Sequence, residues 1–131
     1  GAFVADAASM GTHWIYDPSV MATTVSSVEA PEFRNPPSPK YYSKDEFPGH
    51  YEFGMLSPYG EQMLFVTEHV ATMAMTSKDL NGGTMSEEMF QWAKTFGGRP
   101  DAAMKKFMEN METNKKPWPD CGADDHEAHV Y

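Results

Sequence analysis

Pro100-Asp101-Ala102-Ala103-Met104-Lys105-Lys106-Phe107-Met108-Glu109-Asn110-Met111 is the stretch that decides the fold class. Its large apolar side chains, Met104, Phe107, Met108 and Met111, recur at i, i+3, i+4 and i+7, and Lys105, Lys106 and Glu109 fall between them. Only a helix turns those four onto one face, so the segment reads as amphipathic and opened by Pro100. Lys115-Lys116-Pro117-Trp118-Pro119 stops it.

The same period recurs upstream. Ser86 reads as an N-cap, followed by Glu87 and Glu88 in a first turn where the helix dipole favours acids. Met89, Phe90 and Ala93 supply the apolar side of that helix, and Gly97-Gly98 ends it. Asn81-Gly82-Gly83 reads as a turn. Residues 59 to 76 read as a second strong helix, with Met63, Val66, Val70, Met73 and Ala74 in one stripe and Leu64 beside it. Residues 1 to 16 read as a helix on Phe3, Val4, Ala7, Ala8, Trp14 and Ile15. Asp17-Pro18 is a turn that opens a short helix to Ser27, with Asp17 as its cap, although Thr23, Thr24 and Val25 are poor helix formers. With no convincing pair of strands, the expected class is all-α.

Residues 29–58 differ in texture. Pro31, Pro36, Pro37, Pro39, Pro48 and Pro58 break regular structure, while Phe33, Tyr41, Tyr42, Phe47, Tyr51 and Phe53 lie among them. Disordered linkers are poor in aromatics. The segment therefore reads as a long ordered loop pinned by its rings, and as a candidate pocket wall or partner surface.

Composition narrows the function. The 131 residues carry a formal charge of −9, which disfavours nucleic acid or an anionic membrane as the main partner. No apolar run approaches the roughly 18 residues of a membrane span. A single cysteine, Cys121, excludes an internal disulfide framework and fits an intracellular, cytoplasmic setting. The 11 methionines read as adaptable core filling. The first residues read as structured sequence and not as a signal peptide, and the chain is expected to be a piece of something longer.

Several stretches, in order, resemble one family. Gly1-Ala2-Phe3-Val4-Ala5-Asp6-Ala7-Ala8-Ser9-Met10-Gly11 resembles the opening helix of the ADP-ribosylglycohydrolases, with its Gly-x-x-x-x-Asp-Ala pattern. His13-Trp14-Ile15-Tyr16-Asp17 resembles the branch that includes the J-type crystallins of jellyfish lenses. Ser57-Pro58-Tyr59-Gly60-Glu61-Gln62 sits where the family places its first metal motif. Asp120-Cys121-Gly122-Ala123-Asp124-Asp125-His126-Glu127-Ala128 resembles the next polar turn of that branch. The resemblance implies that residues 1–131 are the N-terminal part of one domain, an orthogonal helical bundle truncated at about half of the family's size or less. It also implies a two-magnesium site, since Mg²⁺ takes an octahedral set of hard oxygens and polarises a ribose for attack by water.

Active members carry Thr-Asp-Asp-Thr where this chain has Gly60, Glu61, Gln62 and Met63. Glu61 can ligate, Gln62 offers only a neutral carbonyl, Gly60 offers nothing, and a thioether suits Mg²⁺ poorly. The resemblance thus assigns a metal role to Glu61 and Gln62 alone, and its second Asp-rich motif is absent. Asp6, Asp124 and Asp125 would line the ligand pocket. Each has a plainer reading: Glu61 as a first-turn acid, Asp6 as a buried polar residue bonded to a neighbouring helix, Asp124 and Asp125 as a helix start. No catalytic residue is assigned.

Other clusters say less. Cys121, His126 and His129 lack any zinc spacing, and His13, His50 and His69 read as core-edge or surface residues. Three functions follow: a non-catalytic or weakly catalytic homologue with a structural or assembly role; a magnesium-dependent hydrolase acting on ADP-ribosylated substrates; or a module that binds ADP-ribose or a nucleotide without turnover. The helices are expected to expose apolar faces that other chains, or a C-terminal half, would cover.

Overall fold

A computed structural model of the chain describes residues 1–26, 42–43 and 45–124. The described residues form five α-helices and one short 3-10 turn, and contain no strand: α1 (Ala2–Ser9), the 3-10 turn (Met10–Thr12), α2 (Pro18–Ser26), α3 (Pro58–Met75), α4 (Gly82–Thr95) and α5 (Ala102–Glu112). The protein is all-α. Among the described residues, no helix is long and apolar enough to cross a membrane. The chain divides into two compact units, Gly1–Gly60 and Glu61–Tyr131, with the division in the first turn of α3.

In the second unit, α5 packs on α4. Met89, Phe90, Phe107 and Cys121 form the buried cluster, with Phe65, Val66, Met108 and Met111 against it. The expected stripe of α5 is therefore the buried one. Asp101 caps α5 by accepting the Met104 N–H at 2.7 Å, so the helix opens one residue after the Pro100-Asp101 pair.

α4 starts earlier than Ser86. Asn81 is its N-cap, accepting the Thr84 N–H at 3.0 Å, and Gly82 and Gly83 are its first turn rather than a break. Ser86 lies inside the helix with its hydroxyl on the Gly83 carbonyl. Two glycines are poor helix formers, but here the absent side chain is used by packing. A Cβ on Gly82 would lie 2.5 Å from Cε2 of the Trp118 indole. That indole belongs to the segment after α5, which folds back under a grip from Asn110. The Asn110 amide donates to the Cys121 and Gly122 carbonyls at 3.2 and 3.0 Å.

The inner face of α3 also departs from the hydrophobic stripe. Gln62 and His69 are buried, while Val70 and Ala74 are exposed and Val66 and Met73 half-buried. Polar residues enter because they bring partners. Gln62 donates to Asp101, and His69 Nδ1 meets Glu88 of α4 at 2.8 Å. His69 is thus buried, not at the edge or surface. The outward apolar side chains of α3 include Leu64 and Met75, the latter 86% exposed.

In the first unit, the helix expected over residues 1–16 stops at Ser9. The Ser9 hydroxyl donates to the Asp6 carbonyl at 2.8 Å and the Thr12 hydroxyl to the Ser9 carbonyl at 2.9 Å. Such local side-chain bonds compete with helix continuation. The chain tightens into the 3-10 turn, extends at His13, and passes through φ +58° at Trp14. Asp17 then caps α2 as expected, accepting the Ser19 N–H at 2.8 Å. Of the long loop, the described part is ordered by its rings: Tyr42 and Tyr51 are buried with Met10, and Trp14 and Phe47 pack on them. Phe53 is exposed. Phe33, Tyr41 and the prolines from Pro31 to Pro39 lie outside the described residues. Pro58 is the first residue of α3, where a missing N–H costs nothing.

Candidate functional site

The motif residues of the first unit meet at the start of α3. Ser57 precedes the helix, and its hydroxyl accepts the Gly60 N–H at 3.2 Å, an N-cap bond. In a capping box, an acidic or amide side chain three residues into the helix would return to the cap's own N–H. That position here is Gly60, which has no side chain. Asp6, from α1, takes the role instead. Its Oδ2 accepts the Ser57 N–H at 2.7 Å and its Oδ1 accepts the Ser57 O–H at 2.5 Å. A Cβ on Gly60 would lie 2.6 Å from the Asp6 Cγ. Gly60 is therefore glycine because the carboxylate of Asp6 fills the space of its side chain. The hydrogen-bonding reading of Asp6 is the one its geometry displays.

Beside this clasp lies an aromatic cluster. The His13, Trp14 and Tyr42 rings are near parallel, with His13–Trp14 and Trp14–Tyr42 centroids 5.0 and 5.1 Å apart. Tyr59 meets His13 edge-on at 5.5 Å, and Tyr42 meets Tyr51 edge-on at 4.7 Å. The Tyr42 hydroxyl is hydrogen-bonded to His13 Nδ1. Burial holds the His13 imidazole below its ordinary pKa of 6.5, and the Asp6 charge acts in the opposite direction. The rings occupy one another's faces, as anchors of a loop do.

Of the two residues given a metal role, Gln62 is 2% exposed in the second unit. Its amide donates to Asp101 Oδ2 at 2.6 Å, while Oδ1 of the same carboxylate caps α5. Glu61 is half-buried in the first turn of α3, where an acid favours the helix dipole. Asp124 is exposed, and Asp125, His126 and His129 lie outside the described residues. Cys121 is a free thiol packed in the apolar cluster.

These donors do not by themselves suit magnesium. A carboxylate at Glu61 and a neutral amide at Gln62 with its NH₂ tied to Asp101 leave most of an octahedral oxygen set unsupplied. Among the described residues, no three His, Cys, Asp or Glu side chains gather as a metal-holding group.

Sequence reasoning missed three residues that organise these sites. Asp101 read only as the neighbour of a helix-opening proline, and Ser57 only as part of a motif. Asn110 sits on a helix face that periodicity marks as core, and its buried polarity was the available signal. No protein-family model matches the chain, and comparison with curated proteins and with solved structures gives no match either.

Proposed function

We propose that the chain is a non-catalytic or weakly catalytic relative of the ADP-ribosylglycohydrolases with a structural or assembly role. The observation that carries this reading is the use made of two motif residues. Both oxygens of Asp6 accept hydrogen bonds from Ser57, and the Gln62 amide is bonded to Asp101. Each motif side chain helps to build a helix start, which is what a retained scaffold requires when its ligand chemistry has lapsed. An assembly role draws support from the apolar side chains presented to solvent, Met75 and Leu64 of α3, Leu80 and Trp118 among them. Protein chains are the proposed partners. A cytoplasmic setting is proposed on the free thiol of Cys121.

The competing readings are a magnesium-dependent hydrolase and a binder of ADP-ribose or a nucleotide. Calorimetric titration of the natural full-length protein with MgCl₂ and with ADP-ribose separates them. No heat of binding for either ligand is expected, while Gln62→Ala lowers thermal stability. Saturable binding of both, lost in Glu61→Ala and Gln62→Ala, would overturn the scaffold reading in favour of the hydrolase. Binding of ADP-ribose alone would overturn it in favour of the binding module.

A further inference from the structure

Two residues of the first unit hold backbone conformations that bulky side chains rarely adopt. Trp14 and Tyr51 both have φ +58°. Such conformations persist only where the surroundings over-determine them. Both residues are in one cluster, joined through Tyr42: its ring stacks on Trp14 at 5.1 Å and meets Tyr51 at 4.7 Å. Tyr42 in turn is hydrogen-bonded to His13. Tyr51, the residue from which the chain runs on to Ser57, thus rests on a set of rings whose polar contacts include a titratable imidazole.

We propose that the His13–Tyr42 contact is an acid-opened latch, which holds the segment 45–57 on the 3-10 turn at neutral pH and releases it when His13 takes up a proton. With its proton on Nε2, the neutral imidazole accepts from the Tyr42 hydroxyl at Nδ1. The imidazolium has no lone pair on Nδ1 and must instead donate there, so the hydrogen bond reverses and a charge is placed among rings. Among the described residues, Asp6 of α1, Tyr42, and Tyr59 at the start of α3 face His13. His50 lies one ring further away, against Tyr51 at 5.7 Å. The Asp6 charge and the ring faces favour the imidazolium, and burial disfavours it. Burial is the larger effect, since His13 titrates below 6.5 in the folded chain. The sign follows. The folded state binds fewer protons than the open state between the depressed value and 6.5. The latch is therefore fully closed above that window and weakens as pH falls through it. Relaxation at Trp14 and Tyr51 lowers the work of opening further.

Hydrogen exchange read by mass spectrometry tests the latch, compared between about pH 7.5 and about pH 5.5, where histidine changes charge, and corrected for the pH dependence of chemical exchange. The expected result is a severalfold rise in opening of 45–57 at the lower pH, with no change in 102–112. His13→Phe abolishes that rise, whereas His50→Gln retains it. Equal protection of 45–57 at both pH values, an unchanged rise in His13→Phe, or a rise lost in His50→Gln overturns the proposal. Should His13→Phe fail to fold, the wild-type protein still decides it by NMR. The His13 Cε1–H resonance is expected to titrate with a midpoint below 6.5, together with the Tyr42 ring signals. A midpoint at or above that value, or Tyr42 signals that ignore it, overturns the latch.

Discussion

The two units keep their shape by different means. In Glu61–Tyr131, α4 and α5 bury a continuous apolar cluster of Met89, Phe90 and Phe107, and polar side chains such as Gln62 and Asn110 are fitted in at its margins with partners. In Gly1–Gly60, the described helices are short, the strained turns at Trp14 and Tyr51 are held by stacked and edge-on rings, and a single carboxylate, Asp6, organises the start of α3. The difference is one of range. The second unit rests on side chains repeated along helices, so its design is spread over many residues. The first rests on a few contacts between residues far apart in sequence, such as Asp6 with Ser57 and His13 with Tyr42. A repeated pattern tolerates loss at its margins, whereas a single long-range contact has no substitute nearby.

That contrast can be tested at its strongest point by cutting into the second unit's core. Phe107→Ala removes a buried ring between α4 and α5 and is expected to cost about 3–5 kcal/mol in urea unfolding. Hydrogen exchange of residues 2–12 should not change. If protection is lost equally there, the two units are not separable in stability and the comparison fails.

Asp101 is the next largest. Asp101→Ala removes the α5 cap and strands the buried Gln62 amide, a combined loss of about 2–4 kcal/mol. Adding Gln62→Leu is expected to restore part of it, because the amide no longer lacks an acceptor. Thermal melts of the two single variants and the double variant measure that coupling. Strict additivity would show that the Gln62–Asp101 bond contributes nothing.

The clasp of the first unit gives a sharper case. Asp6→Ala leaves two Ser57 donors without an acceptor, at about 1–3 kcal/mol. Gly60→Ala is expected to destabilise by a similar amount, since its methyl would displace the same carboxylate. The double variant should be more stable than the sum of the two predicts, because removing the carboxylate removes the collision, and alanine is the better helix former. Equal unfolding midpoints for Gly60→Ala and wild type would refute the account of why position 60 is glycine.

The smallest effect is expected at Gly82. Gly82→Ala pushes the Trp118 indole outward, but that side chain is 55% exposed and has room to move. A stability change below about 1 kcal/mol and a red-shifted Trp118 emission are expected. A large loss would show that the fold-back after α5 belongs to the core and not to its margin.

Much of the second unit was legible in the sequence. Met104, Phe107, Met108 and Met111 carry the 3.6-residue period, and the helix they announce is there with that face inward. Asp17 was legible as a cap, whereas Asp101 and Ser57, which stand beside their helices in the same way, were not. Ser86 misled because Asn81, five residues earlier, offers an equally good cap, and choosing between them required knowing that Trp118 covers Gly82. The stripe of α3 misled because hydrophobicity ranks Gln62 and His69 outside, and their partners Asp101 and Glu88 are remote in sequence. Among the candidate site residues, the sequence marked Asp6 and Gln62 as noteworthy polar positions. For Asp6 the sequence held two readings, a ligand pocket and a hydrogen bond to a neighbouring helix, and its contacts with Ser57 display the second, while Gln62 is bonded to Asp101.

By itself, then, the sequence determined the all-α class and the periodic face of α5, because each is written in residues spaced within a few turns of one another. Tertiary structure alone decided that Asp6 would complete a capping box for a helix fifty-one residues away, that Gly60 would yield its space to that carboxylate, and that His13 would meet Tyr42. The physical reason is common to all three. A local period is a property of the chain, but the partner that satisfies a buried polar group is chosen by proximity in space, and proximity between distant residues is created only when the chain folds.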